Sequence, residues 1–333
     1  MTDTEGTGPM SFGKRARERQ ARFREQSSLP VFPVGRRHGH LLASGYEDGN
    51  LFPTLRGDNG ARRFFEIRNI RWWQDARNGD NSAGKRPTRN MASSQVACVN
   101  FLLPLTEVPE ALSALLRAVD DDVMGVVPIE DGDSHSPIEF EWIGLGHALE
   151  GPAVKTRGAN STSVDAFMIA RTRAGRRAYL MEWKYVEEYS PRDLSEGSKG
   201  ETRRHRYAHL YTESPSFNDK APLDAWLFEP FYQIMRLRLL ADRMVRAREL
   251  GVSEAKVLVV VPEGNRAYRE RVTSLWFATA FPNRTVSDIV RETLLDPDST
   301  YATIPQSALA SAVREHCAEA AAWSAYHRDR YGW

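Results

Sequence analysis

The chain has 333 residues, 41% of them hydrophobic, enough for one large domain or two small ones around a real core. Its formal net charge of +1 gives no global electrostatic argument for nucleic acid, although 38 of its 45 basic residues are arginine. Two cysteines, Cys98 and Cys317, exclude a disulfide framework and a four-cysteine metal or iron–sulfur site within one chain, and imply a reducing, cytoplasmic setting.

No apolar run reaches membrane-spanning length, and the N-terminus lacks the apolar core of a secretion signal. Residues 1–30 read as a polar basic tail. Its run from Lys14 to Arg24 is expected to be a solvated helix or frayed end, with a phosphate-contacting arm as the alternative. Residues 31–89 form an N-terminal extension, partly irregular. The stretch 31–60 is rich in Gly, Pro, Asn and His, and His38 and His40 lack a partner at zinc-binding spacing, so they read as loop residues. Phe64–Trp73 is expected to be a strand, entering a loop whose breaker cluster is Asp75–Ser82.

The pattern changes at Ser93, which caps a mostly buried helix running to Leu103, ended by Pro104. Pro109–Arg117 is a second helix with proline in its first turn. Ile138–Ile143 alternates apolar and acidic residues, as a half-buried strand does. Glu139 and Glu141 then share one face, and at least one of them is expected to be solvated. Residues 190–221 are polar and carry the basic cluster Arg203–Arg206. Pro230–Leu250 is the clearest helix, with Ile234, Leu237, Ala241, Met244 and Val245 as its apolar stripe and Gly251 as its stop. Lys256–Pro262 is a continuous apolar run of the fully buried strand type. The remainder, 266–333, is expected to be a helical extension packed on the core of 90–265, and no internal repeat is present.

The chemistry concentrates in Ser163–Ile169 and Tyr179–Tyr185. Both runs read as strands, joined by the turn Thr172-Arg173-Ala174-Gly175. A turn centred between Arg173 and Ala174 makes the numbers of facing residues sum to 347, which sets Asp165 opposite Glu182. Alternation puts Glu182 and Lys184 on the face of Leu180, and Met181, Trp183 and Tyr185 on the other. Two carboxylates and an ammonium converge on one spot. A buried carboxylate pair is costly, and a divalent cation is its natural compensation. The structural alternative is a surface hairpin whose Asp–Glu pair is relieved by the lysine.

The succession helix, strand, strand, strand, helix, strand, with Val164-Asp165 on the second strand and Glu182-Trp183-Lys184 on the third, resembles the PD-(D/E)XK nuclease superfamily. The run Glu182–Glu187, with the helix from Ser93-Ser94-Gln95 to Asn100, is similar to bacterial proteins labelled putative restriction endonucleases. The resemblance covers roughly 90–265, and Val164 replaces the proline of the superfamily's name. It implies an α/β fold with a restriction-endonuclease-like core, a mixed sheet flanked by helices. It also implies metal-dependent hydrolysis of phosphodiesters, leaving a 5′-phosphate and a 3′-hydroxyl.

In that reading Asp165, Glu182 and the backbone carbonyl of Trp183 hold Mg²⁺, with Mn²⁺ as a substitute. Lys184 orients or deprotonates the attacking water, or stabilises the pentavalent phosphate. The helix before the first strand offers Gln95 and Asn100 where many relatives place an acid. Gln95 is therefore a supporting candidate, with Glu141 and Glu150 as substitutes and Gln233 as a polar neighbour on the long helix. Glu188 is most simply a surface acid. Arg203, Arg204 and Arg206 are candidate phosphate contacts. The expected partner is double-stranded DNA, a homodimer would suit cutting of both strands, and defence against foreign DNA is the expected setting. The alternatives are a non-cutting binding protein on the same fold, or a structure-specific repair nuclease.

Other chemistries lack their motifs. Gly84-Lys85 is followed by arginine, so no nucleotide-binding Gly-Lys-Ser/Thr loop exists, and neither a Gly-x-Ser-x-Gly elbow nor a His-Glu-x-x-His helix is present.

Overall fold

In a computed structural model, which describes residues 10–31, 38–73, 84–131, 134–145, 149–150 and 161–333, the hairpin Val164–Trp183 forms the centre of a six-stranded sheet. The breaker cluster Asp75–Ser82 lies outside the described residues. The strands are β1 Val123–Val127, β2 Ile129–Asp131, β3 Ser134–Ser136, β4 Glu139–Trp142, β5 Val164–Thr172, β6 Gly175–Trp183, β7 Val252–Val260 and β8 Tyr301–Ile304. The helices are α1 Phe12–Gln26, α2 Ala61–Ile67, α3 Ser94–Leu102, α4 Pro109–Arg117, α5 Gly197–Thr212, α6 Phe231–Arg246, α7 Arg266–Arg269, α8 Leu275–Ala280, α9 Val286–Thr293, α10 Pro297–Thr300, α11 Gln306–His316 and α12 Ala321–Tyr331.

Gly175, with φ +137°, closes the turn, and the β5–β6 register runs from Thr172↔Gly175 to Ala166↔Met181. That is the register expected from the sequence. β1 and β4 both pair antiparallel with β5, at its two ends, so the first strand of the core is supplied in two pieces. On the other side β6, β7 and β8 are parallel. β2 and β3 form a separate two-stranded ribbon.

Alternation divides the apolar side chains between two cores. Met168, Tyr179, Met181, Trp183 and Tyr185 pack beneath α3, α4, α11 and α12. Phe167, Ile169, Ala178, Leu180, Val257 and Val259 pack beneath α6 and α9. β7 contributes to both faces, as a central parallel strand must. Each fully buried Leu, Val or Met contributes about 1.5–3 kcal/mol relative to exposure.

The structure departs from the sequence reading in several places. Phe64–Trp73 is not a strand. Ala61 and Phe65 fall on one buried helical face, and Phe65 then stacks on Trp72 at 4.0 Å, so packing selects the helix α2 and a turn. Neither acid of β4 is solvated: Glu139 is 1% exposed and bridged to Arg68 at 2.8 Å, while Glu141 is 2% exposed. The segment carrying Arg203–Arg206 is the helix α5. The long helix stops at Arg246, and Gly251 belongs to a separate short turn. The C-terminal part is not all helix, because β8 adds a parallel strand beside β7, and Cys317 ends α11 before α12 begins. Finally, of the two forms expected for the basic run, the helix is the one formed, mostly exposed as α1 and not frayed. It lies along α12, and its Gln20 is buried, donating to Tyr185 Oη and to the carbonyl of Arg330.

Candidate active site

Asp165, Glu182 and Lys184 come together at one end of the sheet, on the face that α6 covers. The β4–β5 pairs Phe140↔Ala166 and Trp142↔Val164 flank a register position that sets Glu141 across from Asp165. The β5–β6 register, continued one step, sets Asp165 across from Glu182. Three carboxylates therefore stand in a row over three adjacent strands.

Glu141 owes its place to its backbone. Its φ is +48°, a conformation uncommon outside glycine. Alternation breaks there, since Phe140 enters one core and Trp142 the other, stacked on Phe167 at 5.1 Å. The Glu141 carboxylate accepts Trp73 Nε1–H at 2.8 Å and Gln95 Nε2–H at 3.0 Å. Gln95 projects from the first turn of α3, whose N-cap is Ser93. Its own oxygen accepts the backbone N–H of Trp73 at 2.8 Å. The helix before the sheet thus supplies an amide that orients an acid donated by a strand.

The Asp165 carboxylate accepts the backbone N–H of Trp183 at 2.7 Å. Lys184 Nζ lies 2.5 Å from Glu182 Oε1, both residues being buried. The lysine backbone is fixed on both sides: its N–H donates to Val260 O at 2.8 Å, and its carbonyl accepts Gln306 Nε2–H at 2.6 Å. Burial pushes the Asp165 carboxyl well above the usual range, and the charges of Glu182 and Glu141 add to this against the pull of Lys184. Glu141 is also raised, by burial first, with Glu182 adding to it and its hydrogen bonds from Trp73 and Gln95 opposing. Burial disfavours the Lys184 ammonium, but Glu182, Tyr189 and Asp165 outweigh it and hold the proton on.

These groups floor a cleft of about 800 Å³. One wall is the face of α5 that carries Lys199, Thr202, Arg203 and Arg206, spaced as successive turns require; the other carries Gln233 and Arg236 of α6. Arg204 does not line the cleft and pairs with Asp224 at 2.8 Å, both side chains partly exposed. Gln233 accepts from Tyr189 Oη at 3.4 Å. Glu150 lines the cleft but is committed to Thr162, Tyr207 and Arg236, which makes it a brace for the wall. Asn100 is away from the cleft, tied to Phe52, Asn50 and Tyr331. Glu188 is exposed, 3.8 Å from Arg271. His38 and His40 are outside the cleft, their rings 6.5 Å apart.

The family model described as Restriction Endonuclease associating with ARP matches residues 66–332. The chain belongs to that restriction-endonuclease-like family. The match extends on both sides of 90–265, reaching back over Trp73 and forward through β8 to α12. Neither the curated proteins nor the solved structures give a match. The mixed sheet with helices on both faces is the restriction-endonuclease-like architecture.

Two residues that act on this candidate site escaped the sequence reading, Trp73 by a hydrogen bond and Glu229 through its charge. Trp73 sat in an expected strand, and nothing in its spacing marked it as a partner of Glu141. Glu229 precedes α6, where its Oε2 is buried without a hydrogen-bond partner among the described residues. Burial moves this carboxyl up to about 7; Lys184 opposes the shift and Glu182 adds to it. Its unfolded value is 4.5, so the folded state binds the proton more tightly. The stability that Glu229 contributes is then fully present below pH 4.5 and is lost as pH rises through 7, by about 3 kcal/mol in all. Glu229→Gln carries no charge to bury. Its stability relative to the parent is expected to improve by about 2–3 kcal/mol between pH 5 and pH 8, read from urea unfolding at the two values. A gap independent of pH would show that Glu229 is not held protonated by its surroundings.

Proposed function

We propose that the protein is a metal-dependent deoxyribonuclease of the PD-(D/E)XK type that hydrolyses phosphodiester bonds in DNA. The observation that carries this reading is the row Glu141, Asp165 and Glu182 on adjacent strands, with Lys184 beside it, at the floor of a cleft with a basic wall. Carboxylates on three adjacent strands, two of them pushed toward protonation by burial and by one another, are an arrangement that a bound cation would relieve.

The donor set fits a hard divalent cation. Among the described residues no group of three or more His, Cys, Asp or Glu forms a ready-made cage, and Mg²⁺ needs none, since it takes one or two carboxylates and keeps its waters. Asp165 and Glu182 would hold it, with the carbonyl of Trp183, and Mn²⁺ would substitute. When bound, it would acidify a water and offset the charge that builds on the phosphate. Glu141, held by Trp73 and Gln95, can orient that water through a hydrogen bond. Lys184, kept as an ammonium, is a fixed positive donor for the phosphate oxygens rather than a base. Arg203, Arg206 and Lys199 neutralise neighbouring phosphates and give binding its salt dependence. Two copies acting together would cut both strands. The family description names association with ARP, and this reading extends that association to the chain; defence against foreign DNA is its expected setting.

The test is cleavage of supercoiled plasmid, linear duplex, single-stranded DNA and RNA by pure protein in Mg²⁺, Mn²⁺ or EDTA, beside Asp165→Asn. Metal-dependent cutting of DNA that disappears in the variant supports the proposal. A folded protein that binds DNA equally well in EDTA and cuts nothing sinks it, and leaves a binding module on a nuclease fold.

A further inference from the structure

Of the eight tryptophans, Trp73 is the one whose side chain is more than half exposed: 56%, against 38% for Trp276, with the others buried. Its neighbour Trp72 is 2% exposed and stacked on Phe65. An exposed indole is normally free to reorient. This one is not, because Nε1–H is bonded to Glu141 and its backbone N–H to Gln95, both at 2.8 Å. One edge of the ring is thus pinned to the carboxylate row while much of the side chain remains open to solvent.

Its location adds a second, independent observation. Trp73, Ser93, Ser94 and Glu187 line the active-site cleft and also a second groove of about 410 Å³. That groove continues to the start of α1, where Ser11, Gly13 and the exposed Arg17 line it. The groove also carries two acids: Glu187, which accepts the N–H of Tyr185 at 2.6 Å, and the exposed Glu188, 3.8 Å from Arg271. Trp73 therefore stands at the junction of two grooves with cations on both sides, Arg17 on one and Arg203 and Arg206 on the other.

Resting on the nuclease reading, we infer that Trp73 is a stacking platform for an unpaired base next to the phosphate that is cut, so that the substrate is DNA with a single-stranded or opened segment at that point. Successive nucleotides of one strand are spaced about 3.4 Å along the helix axis in stacked DNA and further apart when extended, so a phosphate at the carboxylate row leaves its adjoining base within reach of a ring bonded to Glu141. Bases within a duplex already have neighbours on both faces. Only one freed from its stack can lay a face on the indole. The next nucleotides then follow the second groove toward Arg17 of α1.

The experiment measures binding without cutting, in Ca²⁺, by fluorescence anisotropy of labelled single-stranded, forked and blunt duplex oligonucleotides. It compares the parent with Trp73→Ala and Trp73→Phe, each checked for an unchanged thermal melt. Loss of one base stack corresponds to about 1–3 kcal/mol, so Trp73→Ala is expected to weaken single-strand and fork binding by about 5- to 150-fold and duplex binding by less than about twofold. Trp73→Phe keeps a ring but loses the bond to Glu141, and is expected to stay within about threefold of the parent. Equal losses in the two variants would assign Trp73 to holding Glu141 alone, and overturn the inference. Unchanged single-strand binding in Trp73→Ala overturns it too, with the nuclease reading intact if duplex is cut in Mg²⁺. Failure of the parent to bind any oligonucleotide overturns both.

Discussion

Asp165→Asn is expected to lower the cleavage rate at least about a thousandfold while leaving the fold as stable as the parent or slightly more so. The two effects share one cause. Asp165 is buried against Glu182 and Glu141, and its carboxyl is driven well above the usual range by that burial and by their charge. An amide keeps the shape and can still accept the N–H of Trp183, and it removes a charge whose burial beside Glu182 and Glu141 outweighs its attraction to Lys184. Glu182→Gln should lose as much activity. Lys184→Ala should lose both activity and stability, because it leaves Glu182 buried without its 2.5 Å partner, a change worth about 3–5 kcal/mol. Plasmid nicking in Mg²⁺ and urea unfolding of the three variants separate these outcomes. Asp165→Asn that cuts within tenfold of the parent, or that unfolds more than about 2 kcal/mol more easily, would show the carboxylate to be structural.

The part of this site that was legible in the sequence is the part fixed by a short turn. Two residues between Thr172 and Gly175 leave little freedom in the hairpin, so index arithmetic alone pairs Ala166 with Met181 and carries Asp165 to Glu182. Alternation then assigns Trp183 and Tyr185 to the opposite core. Glu141 was harder, because its left-handed φ breaks the alternation on which strand reading depends. A regular strand puts Glu139 and Glu141 on one face. The real one sends Glu139 to Arg68 and Glu141 to the cleft. The helix α5 escaped because its organising face is polar. Lys199, Thr202, Arg203 and Arg206 repeat at helical spacing, yet a search for apolar stripes passes over them, and Gly197 and Gly200 suggest a loop. β8 is four residues long, too short for periodicity to announce, and becomes a strand because β7 offers it an edge.

Arg330→Ala is expected to destabilise the protein by about 3–5 kcal/mol, although the residue lies on α12, far along the chain from the carboxylate row. Arg330 is fully buried and has no carboxylate among its bonded partners. Its guanidinium donates to Gln20 Oε1 at 2.9 Å, Asn50 O at 2.7 Å, Tyr326 Oη at 2.5 Å and Met91 O at 3.3 Å, and also to Asn50 Oδ1. It lies over the ring of Tyr331 at 4.9 Å. Tyr326 is on α12 itself; the other acceptors come from α1, from the segment before α2 and from the turn that leads into α3. One planar fork therefore joins the two ends of the chain to the helix that carries Gln95. Removing it strands several buried oxygens at once, each worth about 1–3 kcal/mol, with partial relief as the neighbours relax. Arg330→Lys keeps the charge but cannot reach so many acceptors, and should recover less than half of the loss. Urea unfolding measures both. At a temperature where the variants remain folded, cleavage should survive in Arg330→Lys, because the guanidinium braces the framework around Gln95 and does not touch the carboxylate row. A loss of activity in a fully folded Arg330→Lys would instead show that α12 sets the position of Gln95 and, through it, of Glu141.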